Sequence, residues 1–177
     1  MGGAVSWADE VILAAATGGR RLTRAELEAV LEHVARAGFD PDARERAGGR
    51  LEGLLWRGRV LRGSDLLPPA EAHYLRHVVA CQEWPPGTTL DDYLASIPRV
   101  ILDPRSGVLI SQYQGKAGTS RSCVVRRSSE NPKGRIWILV EYRVATGHWM
   151  TAFQPKTGLA YFDDPRRGNK RWVRRPR

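Results

Sequence analysis

Between Trp137 and Phe153 two apolar, β-forming arms flank Thr146-Gly147, and this hairpin constrains the chain more than any other stretch. Val, Ile, Tyr, Trp and Phe suit a pleated surface, the Thr-Gly pair supplies turn chemistry, and neither arm carries a ladder breaker. With a three-residue loop, the antiparallel register pairs Arg143 with Trp149, Glu141 with Thr151 and Leu139 with Phe153. A two-residue loop shifts every pair. In either case alternation puts Trp149, Thr151 and Phe153 on one face, with a hydroxyl between two aromatics. Packing alone does not require the polar residues gathered near this turn.

Upstream the period is helical. Asp9 to Ala16 reads as a helix, and Thr23-Arg24-Ala25-Glu26 is a capping box ahead of Leu27, Val30, Leu31 and Val34, with Gly38 as the stop. Pro41 to Trp56 offers Leu51, Leu54 and Leu55 as one helical face, interrupted by Gly48, Gly49 and Gly53. Pro68-Pro69-Ala70-Glu71 opens a helix running to about Cys81. After the turn Trp84-Pro85-Pro86-Gly87, Thr88 or Thr89 caps a short helix, Asp91 to Ser96, closed by Ile97-Pro98. Strand-like segments follow at 100–102, 107–113, 122–127, 136–144 and 148–153, with a further candidate at 159–162. Helices first and an antiparallel meander of about four to five strands second is an α+β arrangement.

The formal charge of +9 is unevenly placed. Residues 1–98 hold 11 basic and 14 acidic side chains, a net of −3, whereas 99–177 hold 17 and 5, a net of +12. A basic half that coincides with the meander points to a polyanionic partner, nucleic acid first. Four of the 28 basic residues are Lys, and the Arg that replaces it elsewhere engages phosphate with a planar fork. Arg166 to Arg177 has seven basic residues in twelve and reads as a mobile basic arm. Cys81 and Cys123 are too few for a disulfide framework and lack metal-site spacing, so a reduced, cytoplasmic setting is expected. No segment approaches the roughly 18 apolar residues of a membrane span.

Several residues in this frame suit chemistry. His73 and His77 share a helix face that Cys81 extends. They could offer ligands to zinc, but the Glu of the metalloprotease motif and a clear fourth ligand are missing, so neither metal nor other cofactor is expected. Capped or pocket-facing histidines are the plain reading, and one histidine serving as general base is the sharper one. Tyr113 to Arg121 is a polar, Gly-containing connection that could bring amides and cations to a phosphate. It is no P-loop, because Ile110 and Ala117 stand where that motif needs Gly and Ser or Thr. Lys116, Arg121, Arg126 and Arg143 together could neutralise the charge that builds on a phosphorane during RNA cleavage. There the RNA's own 2′-hydroxyl attacks, so no protein nucleophile or metal is needed.

The order of these features, His-x-x-x-His on a helix, then Ile97-Pro98-Arg99-Val100-Ile101-Leu102-Asp103-Pro104, then a meander ending in Glu141-Tyr142 and Trp149-Met150-Thr151-Ala152-Phe153, resembles the barnase, EndoU, colicin and RelE-like superfamily of metal-independent ribonucleases. It resembles the phage-associated and colicin-D-like branches in particular. The resemblance covers about Pro68 to Pro155 and implies helices ahead of a four-stranded antiparallel sheet whose face cleaves RNA, often tRNA. It implies a helix-borne histidine at His73 or His77, basic groups at Lys116 and Arg121, and the late-strand aromatic and hydroxyl at Trp149 and Thr151. No Lys lies beside the histidines, and the hydroxyl follows the aromatic where some relatives place it before; if neither helix histidine is the base, the role shifts to His148. On this reading residues 66–163 form the nuclease domain, 1–65 a helical region of unknown role and 164–177 a basic arm. Tyr113, Arg126, Tyr142, Arg143, Trp149, Arg166, Arg167, Lys170 and Arg171 would contact the RNA.

The expected function is a metal-independent endoribonuclease leaving 2′,3′-cyclic phosphate ends, toxin-like and held by an inhibitor protein. The alternatives are a non-catalytic RNA- or DNA-binding protein that stacks bases on the same aromatics, and a phage-derived interaction module.

Overall fold

The computed structural model describes residues 20–115, 118–128, 131, 133–167 and 169–177, so the helix expected at 9–16 lies outside the described residues. Helix α1 (Arg24–Ala37) opens on the expected capping box. The Thr23 hydroxyl accepts from the Glu26 amide at 3.2 Å, and Glu26 Oε2 accepts from the Thr23 amide at 2.8 Å. Leu27, Val30, Leu31 and Val34 form its buried stripe, and Gly38, at φ +69°, ends it.

The helix expected over 41–56 does not form. Short strands β1 (Glu45–Arg46), β2 (Leu55–Trp56), β3 (Arg59–Val60) and β4 (Leu66–Leu67) occupy this region, with β1 paired to β4 and β2 to β3. Gly48 and Gly53 sit at φ +75° and +86°, a left-handed geometry that no right-handed helix accommodates. Leu51, Leu61 and Leu67 pack with Ala72 and Leu75 into a small core of their own.

Helix α2 begins at Pro69 with α geometry to Tyr74 and widens into a π-turn over Leu75–Ala80. Helix α3 (Leu90–Leu102) is capped by Thr89 and Asp92 as the sequence suggests. It runs through Pro98 and absorbs the strand expected at 100–102. Ile97, Val100 and Ile101 continue its buried face at helical spacing, and that burial outweighs the backbone bond Pro98 forgoes.

Strands β5 (Gly107–Gly115), β6 (Gly118–Ser128), β7 (Trp137–Arg143), β8 (Trp149–Phe153) and β9 (Asn169–Arg174) form one antiparallel sheet in the order β8-β7-β6-β5-β9. The α+β class and the meander are as the sequence implies. Besides 100–102, two segments differ. Residues 159–162 lie in a 3₁₀ turn (Gly158–Asp163) in place of a strand, and the segment expected to be a mobile arm returns as β9 beside β5. Trp172 gives β9 an apolar anchor. Val108, Ile110, Val125, Ile138 and Val140 face the helices, while Leu109, Val124 and Leu139 face Phe162 on the other side.

The hairpin has the predicted pairs Leu139↔Phe153 and Glu141↔Thr151. The third pair fails, because the register shifts and Trp149 faces Tyr142 instead of Arg143. That irregularity turns Trp149 into the helix-facing core, where its indole N–H donates to the Val34 carbonyl at 2.7 Å and its ring meets Phe39 edge-on at 5.5 Å. Trp149 and Thr151 therefore do not share a face. Among the described residues, no helix is long and apolar enough to cross a membrane.

Candidate functional site

Much of the RNA-contacting surface expected on the sheet is interior. Tyr142 and Trp149 are buried in the main core, which corrects their assignment as base-stacking residues. Arg126 is also corrected. It is 0 % exposed, with its guanidinium carbon 3.1 Å from the Phe162 ring centre and 4.2 Å from that of Trp172. Burial pushes it down to about 9, against the opposing pull of Asp163, and no phosphate reaches it there.

The other expected residues are dispersed. Lys116 lies outside the described residues, and the backbone register places Tyr113 opposite Ser120 and Arg121 opposite Gln112. Arg143 is exposed at the hairpin end, Thr151 is half-buried, and the His148 amide donates to the Thr146 hydroxyl. In the C-terminal segment Arg166 pairs with Asp164 at 2.8 Å, Arg167 ends a 3₁₀ turn, Lys170 donates to the Asp164 carbonyl and Arg171 to that of Arg20.

What the fold does bring together lies on α2. Residues four apart on a helix stand one above the other, and His73 and His77 stack at 5.7 Å with an interplanar angle of 5°. Phe39 continues the stack beyond His73 at 5.2 Å, and Phe153, from β8, caps it beyond His77 at 5.4 Å. Each imidazole has its own carboxylate. His73 Nε2 is 3.0 Å from Glu45 Oε1, and His77 Nδ1 is 3.3 Å from Glu83 Oε2, off the hydrogen-bonding direction.

The two histidines differ in access. His73 is enclosed, whereas His77 lines an open cleft of about 600 Å³ together with Glu83, Arg135, Lys133, Arg50, Cys81, Lys156 and Tyr161. Burial lowers the His77 pKa, and the Glu83 carboxylate only partly restores it. For Glu83 burial acts upward, but His77, the Gln154 amide and Arg135 together outweigh it and hold the carboxyl below its usual range. Arg135 Nη1 is 3.0 Å from Glu83 Oε1, and the Gln154 amide donates to Oε2 at 2.8 Å. The carboxylate is thus fixed from two sides, with its charge beside the His77 ring.

Local backbone geometry builds this pairing. After the π-turn, Gln82 adopts φ +51°, and the Glu83 amide bonds back to the His77 carbonyl at 2.9 Å. That reversal carries Glu83 to the Nδ1 edge of the imidazole. Lys133 donates to the Cys81 carbonyl and Arg50 to Cys81 Sγ at 3.0 Å, so cations from distant parts of the chain close around the same turn. His77, Cys81 and Glu83 are also the described residues whose donor atoms could share a metal ion.

Of the expected catalytic residues, His77 lines this cleft, His73 stacks behind it, and no other described one contributes to its lining. Glu83, Arg135, Arg50 and Lys156 are additions. The spacing His77-x₃-Cys81-x-Glu83 is the one local signal that could have found part of the set. Comparison with models of known families, with curated proteins and with solved structures finds no match to this chain.

Proposed function

We propose that this protein is a metal-independent endoribonuclease whose active site is the His77–Glu83 cleft. The observation that carries the reading is an imidazole backed by a fixed carboxylate and opening into a cleft lined by Arg50, Lys133, Arg135 and Lys156. His77 takes the proton from an RNA 2′-hydroxyl, and the resulting oxygen attacks the adjacent phosphorus. The surrounding cations offset the charge that gathers on the phosphorane. The bond to the 5′-oxygen then breaks, leaving a 2′,3′-cyclic phosphate and a 5′-hydroxyl whose proton comes from Tyr161 or from water in the open cleft. The basic excess of residues 99–177 favours RNA over a small phosphate ester as substrate.

The test is incubation of the purified chain with total RNA and with tRNA in EDTA, reading the fragment ends. Cyclic-phosphate ends are expected, and His77→Ala should lower the cleavage rate by about two to four orders of magnitude with the fold retained. Retardation of RNA without cleavage would replace this reading with a nucleic-acid-binding module.

A further inference from the structure

We propose that His77, Cys81 and Glu83 form a reversible binding site for a divalent ion of the zinc class, and that its occupancy closes the cleft to RNA chemistry. One donor atom from each residue lies within 4.8 Å of the others. Small side-chain rotations would bring all three to the roughly 2.0–2.3 Å at which zinc holds nitrogen, sulfur and carboxylate oxygen. The donor set selects the metal. Imidazole, thiolate and carboxylate together suit a borderline-soft ion, whereas magnesium and calcium demand oxygen ligands throughout.

The surroundings are those of an open site. Three protein donors face a cleft of about 600 Å³, which leaves room for water as the fourth ligand. Glu83 is already oriented by the Gln154 amide and Arg135, and Cys81 is presented by the end of the π-turn, where its amide bonds to the Arg76 carbonyl at 2.9 Å. A thiolate and a carboxylate balance the two charges of the ion. Against this, Arg50 sits 3.0 Å from Cys81 Sγ and must swing aside, and Lys133 and Arg135 add repulsion. Those cations weaken the site, which makes the ion an exchangeable regulator instead of a permanent structural member.

The inhibitory consequence rests on the nuclease reading, since the His77 imidazole cannot both hold a metal and receive the 2′-hydroxyl proton. The site itself does not. The experiment uses the full chain, stripped with EDTA and desalted, and titrated first with Co²⁺ and then with Zn²⁺. One equivalent of cobalt should produce a thiolate-to-cobalt charge-transfer band that zinc displaces. Cys81→Ser, with an unchanged circular dichroism spectrum, should abolish the band and weaken zinc binding by more than about 100-fold, beyond what loss of an outer partner costs. Arg50→Ala should tighten binding by removing the competing cation. A folded parent without the band, or a band that survives in Cys81→Ser and so belongs to Cys123, overturns the site. Zinc should stop RNA cleavage by the parent and leave that of Cys81→Ser intact, and cleavage indifferent to bound zinc overturns the inhibitory role. A metal-free parent that cleaves no RNA refutes the nuclease reading, while the absorption titration still decides the metal site.

Discussion

Replacing Arg126 by Met should cost the protein little, although the residue is wholly buried. The charged form is disfavoured by burial, and a fall from 12.5 to about 9 corresponds to roughly 5 kcal/mol. None of the three guanidinium nitrogens has a hydrogen-bond partner among the described residues. The return comes from two aromatic faces, Phe162 and Trp172, each worth about 2 kcal/mol to a desolvated cation. Cost and return nearly cancel. Methionine keeps the stem and offers both rings a polarisable sulfur, so Arg126→Met should change the unfolding free energy in urea by no more than about 1 kcal/mol in either direction. Arg126→Ala opens a cavity between the rings and should lose about 3 kcal/mol. RNA affinity of the Met variant should equal that of the parent at every salt concentration. A loss above about 2 kcal/mol would mean that the charge has a strong partner, and a flatter salt slope would mean that Arg126 meets phosphate after all.

Three further outcomes follow from the same geometry. Thr151→Val should leave RNA cleavage at the parental rate and shift stability by only about 1 kcal/mol, because the hydroxyl does not line the His77 cleft; loss of cleavage would return the active site to the sheet. Gly107→Ala should lower thermal stability by about 1–3 kcal/mol, since its new Cβ would lie 2.5 Å from Pro176 Cδ and 2.8 Å from the Trp172 ring; an unchanged melting temperature would show that β9 does not dock there. Asp103, held at about 2 first by Arg105 and with help from Arg127, stabilises the fold above the usual carboxyl value of 3.8 and loses that contribution as pH falls toward 2. Solvent screening reduces this to about 1 kcal/mol, so Asp103→Asn should be less stable than the parent at pH 7 and equal to it near pH 2, and a pH-independent difference would refute the assignment.

The legible parts of this chain are those in which a few adjacent residues settle the outcome. Thr23 and Glu26, or Thr89 and Asp92, satisfy each other's backbone donors within one turn, so both helix starts are readable. The β7–β8 hairpin is readable for the same reason as far as Glu141↔Thr151, and it fails where a bulge, which no residue type demands, turns Trp149 inward. Pro98 shows the opposite failure. A locally strong stop signal yields to Ile97, Val100 and Ile101, whose burial against the sheet is a tertiary fact.

The candidate site divides along the same line. His73 and His77 are visible as a helix-face pair because spacing alone stacks them, yet spacing does not say which one reaches solvent. That distinction depends on Glu45 from β1, Phe39 beyond α1 and Phe153 from β8, all remote in sequence. Arg50 and Arg135 lie 31 and 52 residues from the carboxylate or thiol they address, beyond the range of any local pattern. The basic excess of the second half predicts that cations will converge somewhere. Only the fold selects the end of α2, where a π-turn and one left-handed residue put a carboxylate beside a histidine, as the place where they do so.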